Sequence, residues 1–289
     1  GIVGFKPASH AIDKAGAWPD LHGSYIDSWL AAGPLVRSVR DARLLYSVLA
    51  RHPLEQAAST TGLRLLWPAD FPLTYRDDSI RAAVEASRDL LATAGMVPQE
   101  VVLGDVRRWY RTKIRYLASE LLPLMMEGLK DADGRRFTLR GEFLRRLGGR
   151  PEVYEGLVRM LVMGPALRYR SRRGIERALA ILEEARKSVR SLLGRDGILL
   201  LPTLGTLALP HGKMNKIAMK PGVNGLFTAT TFCNYIDLPA ITVPAPGFRD
   251  RESGLIPGVM LAACPGSEGA LLDAAAALEK GLRDHDSIT

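Results

Sequence analysis

Four consecutive apolar residues, Ile198-Leu199-Leu200-Leu201, lie between the turn Asp196-Gly197 and Pro202. A strand points successive side chains to opposite faces, so a run with no polar member has to be covered on both sides. The segments upstream supply matching elements. Leu63 to Trp67, bounded by Gly62 and Pro68, reads as a strand. Asp77-Asp78-Ser79 opens a helix whose stripe is Ile80, Ala83, Val84, Leu90, Leu91 and Ala94, and Gly95 supplies the left-handed residue that ends it. Val97 to Leu103 reads as the next strand. Strand, helix, strand in this order implies a parallel crossover and an α/β sheet.

The remaining segments fit around that sheet. Residues 1 to 36 read as loop with one or two short strands. Ser38-Val39-Arg40-Asp41 caps a helix that runs to Ala50, with Val39, Ala42, Leu45 and Leu49 on one face. Asp105 to Gly194 is mostly helical, with breaks at Gly128, Gly134, Gly148-Gly149 and Gly164-Pro165. Its last helix, Gly174 to Leu193, sets Ile175, Leu179, Leu182, Val189 and Leu193 on one side. An irregular loop from Pro202 to Gly222 precedes a helix over Val223 to Tyr235. Strands at Ala240 to Val243 and Gly258 to Ala263 follow, and Ser267 caps a final helix ending near Leu282.

Composition excludes several classes. With 47% hydrophobic and 24% charged residues, the chain is globular and not disordered. No apolar run approaches the roughly 18 residues that a membrane-spanning helix needs. The two cysteines, Cys233 and Cys264, are too sparse for a disulfide framework and are spaced unlike a metal pair, so both read as small apolar residues in a reducing compartment. The five histidines form no helical metal-binding pair. The formal charge is +8, and it is uneven: Gly104 to Arg177 holds 18 Lys/Arg against 9 Asp/Glu, a surplus of +9, leaving −1 for the rest. Such a basic, mainly helical insert at 104–177 reads first as a solvated face, next as a surface for anionic lipid or an acidic partner. No zinc finger, aromatic RNA-binding motif or helix-turn-helix accompanies the charge, so nucleic acid is not an expected partner.

Hydrolysis by a nucleophile needs an activated side chain, a base and oxyanion donors. No Gly-x-Ser-x-Gly elbow, Ser-x-x-Lys motif or phosphate loop occurs. The order of five blocks says more. These are Gly1-Ile2-Val3-Gly4-Phe5-Lys6-Pro7; Gly33-Pro34-Leu35-Val36-Arg37-Ser38-Val39-Arg40-Asp41; Asp196 to Thr203; Asn234 to Pro244; and Gly258 to Leu261 followed by Pro265-Gly266-Ser267. Together they resemble the amidase signature family across nearly the whole chain, the basic middle excepted. The resemblance implies a three-layer α/β/α sandwich with a mixed, mostly parallel sheet, here an incomplete amidase domain.

It implies amide hydrolysis by a lysine, a bridging serine in a cis peptide and a nucleophilic serine, without cofactor. In the family these precede the Gly-Ile-x-Gly-x-Lys-Pro block, so no catalytic residue is carried onto residues 1–289, and Lys6 takes a structural place. Gly1, where Met would start a chain, reads as a cut. The expectation is therefore a C-terminal portion, inactive alone, with apolar exposure along Gly1 to Pro7 and Ile198 to Leu201. The resemblance assigns pocket walls to Thr203 and to Leu226, Phe227, Thr230 and Thr231. Phe227 falls where the A-type chains of glutamyl-tRNA amidotransferases carry an acidic residue, and with Thr230 it is similar to fatty acid amide hydrolases of the second mammalian type. That implies an apolar acyl or aryl amide as the small-molecule substrate. Departures from the family pattern include Ala8, Ile256-Pro257 and Met260, and Asp237 in place of a glycine that allows positive φ. The alternatives are a noncatalytic amidase-fold binding module and a membrane-surface or polyanion binder. A cytoplasmic location, a peripheral membrane contact and a homodimer complete the expectations.

Overall fold

The structure is a computed structural model that describes residues 1–17, 21–54, 59–130, 134–213 and 224–286. Among these, seven strands form one sheet: β1 (Val3–Lys6), β2 (Leu35–Val36), β3 (Arg64–Pro68), β4 (Val97–Val101), β5 (Gly197–Pro202), β6 (Ala240–Pro244) and β7 (Gly258–Ala262), in the order β2-β1-β6-β7-β5-β3-β4. Eight helices are described: α1 (Val39–Leu49), α2 (Asp78–Thr93), α3 (Val106–Gly128), α4 (Leu139–Leu147), α5 (Glu155–Leu167), α6 (Arg172–Leu193), α7 (Asn224–Tyr235) and α8 (Glu268–Asp286). A short 3-10 helix at Tyr25–Trp29, unforeseen in the sequence, joins them.

The alternation within β5 explains its composition. Ile198 and Leu200 enter one core with α1, α2 and α8, while Leu199 and Leu201 enter the other with α3, α6 and α7. Leu65 and Leu66 of β3 divide the same way. The three-layer architecture thus follows from strands that bury both faces.

Three expectations change. The sheet is mixed as expected, but only β3–β4 and β3–β5 are parallel, and the other four neighbouring pairs are antiparallel. The expected apolar exposure is absent: Val3, Phe5 and all of Ile198 to Leu201 are buried, although Ile2 is exposed. The reason is pairing. β1 lies between β2 and β6, and β5 lies between β3 and β7, so the described residues close both cores themselves. The third change is that α5 continues through Gly164-Pro165. Pro165 falls in the last turns of that helix, and Gly164 packs so tightly on Leu122 that a Cβ would fall 1.9 Å from Leu122 Cδ1.

Local signals hold at most helix ends. Ser38 Oγ accepts from Asp41 N at 3.1 Å, and Gly95 has φ +92°. Ser267 stands immediately before α8, but its hydroxyl donates to Arg195 O at 3.1 Å. Both cysteines are free thiols, Cys233 buried, and burial pushes its thiol up to about 12.

Lys113 of α3 is buried, with its ammonium 5.5 Å from the Tyr110 ring centre, and burial lowers its pKa from 10.5 to about 8. Between these two values the unfolded chain holds a proton that the folded chain has released, so stability rises with pH across that window. Lys113→Met is expected to abolish this rise and to stabilise the fold at neutral pH by ~3 kcal/mol, at about 1.4 kcal/mol per pKa unit. Urea unfolding of both proteins across the window checks it. An unchanged slope would mean that the amine is not charged and buried as described.

Candidate functional site

The elements converge where β5 and β6 end and β7 begins. Thr203, directly after β5, donates its backbone N–H to Gly258 O at 3.0 Å and its hydroxyl to Thr242 Oγ1 at 3.1 Å. Gly258 is required by this approach, since a Cβ there would fall 2.9 Å from Thr203 Oγ1 and 3.0 Å from Thr242 Cγ2. Gly4 of β1 stands opposite Thr242, and Gly1 lies against Pro244, so the first residues of the chain reach this same end of the sheet.

The loop after Thr203 is pinned to α7. Gly205 donates its N–H to Leu226 O at 2.9 Å and accepts from Arg76 N at 2.8 Å, and Leu207 N donates to Asp77 Oδ2 at 3.0 Å. The sequence places Thr203 and the four α7 residues in one wall, and this loop physically connects them. Within α7, Leu226 is buried, while Phe227, Thr230 and Thr231 are half-buried. Phe227 O accepts from both hydroxyls, Thr230 Oγ1 at 3.2 Å and Thr231 Oγ1 at 2.9 Å. Turning those hydroxyls onto the helix backbone lowers the polarity of the face beside Phe227. No residue of α7, Asn224 to Tyr235, carries a charge.

Two clefts open elsewhere among the described residues. One of about 980 Å³ follows β1, between His10, Lys14, Asp27 and Arg51. One of about 360 Å³ is lined by Tyr46, His52 and Glu268. Neither includes Thr203 or an α7 residue. No group of His, Cys, Asp or Glu suited to a metal ion occurs among the described residues.

The other end of the sheet carries charge that sequence reasoning did not connect. Lys6 Nζ donates to Leu238 O at 3.0 Å and to Pro7 O at 3.3 Å, and burial lowers its pKa against the opposing pull of Asp237. Asp237 has φ +55° and is buried. Its Oδ1 accepts from Ser9 N at 2.9 Å and its Oδ2 from Arg190 Nη2 at 3.0 Å. Only the unusual acid at a glycine position hinted at this clamp.

The amidase family model matches residues 1–272. The chain belongs to the amidase family. This amidase is 27% identical over 316 residues to the A-type chain of the glutamyl-tRNA(Gln) amidotransferase of Anaeromyxobacter dehalogenans, covering 98% of this chain and 59% of that protein. It is 27% identical over 315 residues to the corresponding protein of Carboxydothermus hydrogenoformans, covering 99% of this chain and 60% of that one. The solved 6-aminohexanoate cyclic dimer hydrolase, in complex with substrate, superposes with a TM-score of 0.72 at 21% identity, over 98% of this amidase and 61% of that chain. A bacterial aryl acylamidase superposes at 0.69 with 17% identity, over 99% and 60%. The chain thus spans about three-fifths of the length of the relatives it matches. At these identities the structural likenesses establish the fold and not a substrate.

Proposed function

We propose that the full-length protein hydrolyses a carboxamide with an apolar acyl or aryl group through a serine acyl-enzyme, and that residues 1–289 supply one wall of its pocket. The family supports amide hydrolysis. The observation that carries the narrower reading is Phe227, half-buried on a helix with no charged residue. An α-amino acid amide would bring an ammonium group to this wall and find no countercharge on α7, so its desolvation would go uncompensated. A phenyl ring instead rewards an apolar chain or ring by contact area. The resemblance to fatty acid amide hydrolases at Phe227 and Thr230 agrees in direction. The acylating serine, its bridging serine and the lysine base are placed outside residues 1–289, in the segment preceding Gly1, next to the end of the sheet that bears Thr203. Residues 1–289 alone are therefore expected to be inactive.

The test uses the full-length protein. It is expected to react with a serine-directed fluorophosphonate and to hydrolyse an acyl or aryl anilide better than glutamine. Phe227→Asp is expected to lower kcat/KM for the apolar anilide by at least about tenfold, as loss of one apolar pocket contact does. No labelling by the fluorophosphonate would favour a noncatalytic binding module. Equal or better turnover of the apolar anilide by Phe227→Asp would overturn the pocket assignment.

A further inference from the structure

Helix α4 is built inside out. Its one acidic residue, Glu142, is fully buried (0% exposed), whereas Phe143, Leu144 and Leu147 are 62%, 60% and 72% exposed. Glu142 Oε1 lies 3.0 Å from Arg146 Nε and Oε2 lies 3.7 Å from Arg145 Nε. The carboxylate also accepts from Val153 N at 3.3 Å and Glu152 N at 3.4 Å. Arg146 Nη2 in turn donates to Val153 O. The network holds α4 against the segment that leads into α5, while Thr138 caps the helix by accepting from Gly141 N at 3.1 Å. Thus the orientation that exposes three large apolar residues is fixed by a buried ion-pair network. Burial of the apolar stripe does not set it, as it does for α1, α2 and α6.

The charge around this face has one sign. Residues 134–150 contain six arginines and one acid, and that acid is Glu142. The acids that follow are engaged by other arginines, Glu152 by Arg145 at 3.3 Å and Glu155 by Arg159. Arg136, Arg140 and Arg150 are exposed beside the apolar triplet. Val162 and Met163 of α5, 59% and 48% exposed, add to the apolar surface of the same helical unit. No helix among the described residues is long and apolar enough to cross a membrane. An apolar triplet protruding from a helix and flanked by arginines matches the interfacial region of an anionic bilayer: acyl chains take the Phe and Leu side chains, and phosphates take the guanidinium groups. An acidic protein partner would satisfy the arginines, but the triplet protrudes instead of forming a groove.

We infer that α4 docks this amidase peripherally on an anionic lipid surface through Phe143, Leu144 and Leu147, with Arg136, Arg140 and Arg150 as the electrostatic contribution. The test is flotation of the chain with phosphatidylcholine vesicles, with and without phosphatidylserine. Two variants are compared: F143S/L144S/L147S, which keeps every charge, and R136Q/R140Q/R150Q, which keeps the apolar triplet. Binding to serine-containing vesicles at low salt is expected, weakening as salt rises. Each triple variant is expected to lower the partition coefficient at least about tenfold. Circular dichroism and urea midpoints close to wild type would show that both variants are folded, as changes on an exposed face allow. Absence of binding to serine-containing vesicles at low salt overturns the inference. So does binding that F143S/L144S/L147S leaves intact, or capture of the chain by polyglutamate with none by vesicles, which would point to an acidic protein.

Discussion

Asp237→Ala is expected to destabilise the fold by about 3–5 kcal/mol, the range for removing one partner of a buried, hydrogen-bonded ion pair. Asp237 Oδ2 faces Arg190 Nη2 at 3.0 Å, with side chains only 10% and 28% exposed. Removing it strips Arg190 of its carboxylate and Ser9 N of its acceptor. Arg190 keeps Ile236 O and Asp237 O as acceptors, so its charge loses compensation while its geometry persists. A second cost arises because residue 237 sits at φ +55°, which asparagine and aspartate tolerate better than alanine. Two further variants separate these causes. Asp237→Gly relieves the backbone but leaves the ions unpaired. Asp237→Asn keeps an acceptor for Ser9 N and a tolerant backbone, and loses only the charge. Urea unfolding is expected to rank Asn above Gly above Ala in stability. If Gly matched the wild type, the carboxylate would contribute nothing, and the acid would merely be tolerated at a glycine position.

Asp237 also shows how far the sequence could be read. Its departure from the glycine of the family was visible, and so was the positive φ that such a position demands. Its partners were not, because Ser9 and Arg190 are brought to it by packing across the sheet. Elements with a strong period were legible: α2, α6 and β5 stand within a few residues of where spacing and end signals put them. Strand direction was not. β6 and β7 are short apolar runs whose composition carries no information about the neighbour they pair with, so the antiparallel majority emerges only from pairing. The expected exposure of β1 and β5 failed for the same reason. It assumed that their neighbours lie outside the chain, whereas β6 and β7 return from late in the sequence to cover them. α4 defeats periodicity differently. Its apolar residues mark a face correctly, but a buried carboxylate decides which way that face points. As for the site, Phe227 and its helix were found by resemblance alone, since the loop joining Thr203 to Leu226 depends on Gly205 meeting Thr74 across sequence-distant segments.

That loop yields the largest functional effect. A Cβ at Gly205 would fall 2.0 Å from Thr74 O and 3.2 Å from Leu226 Cα. Both are backbone atoms, so no side-chain rotation can make room, and the loop itself must move. Gly205→Ala is therefore expected to lengthen the bonds to Leu226 O and Arg76 N and to cost about 2–3 kcal/mol of stability, as overpacking does. The displacement would be passed directly to the first described turn of α7, which carries Phe227. A shift of about 1 Å in a positioning wall can lower turnover on the order of a hundredfold. The full-length protein bearing Gly205→Ala is thus expected to lose about that factor in kcat/KM for an apolar anilide at a temperature where it stays folded. Gly197→Ala supplies the control. Its Cβ would fall 2.3 Å from Leu193 O, a comparable clash at the far end of the same strand. Six residues of strand put it roughly 20 Å from Thr203. It should lose stability to a similar degree while the folded enzyme keeps its kcat/KM. If both variants lost activity in proportion to their stability, Gly205 would be a packing glycine and the wall formed by Thr203 and Phe227 would have no special hold on the substrate. If only Gly205→Ala fell, the route from Thr203 through Gly205 to Leu226 would be the one that sets the position of Phe227.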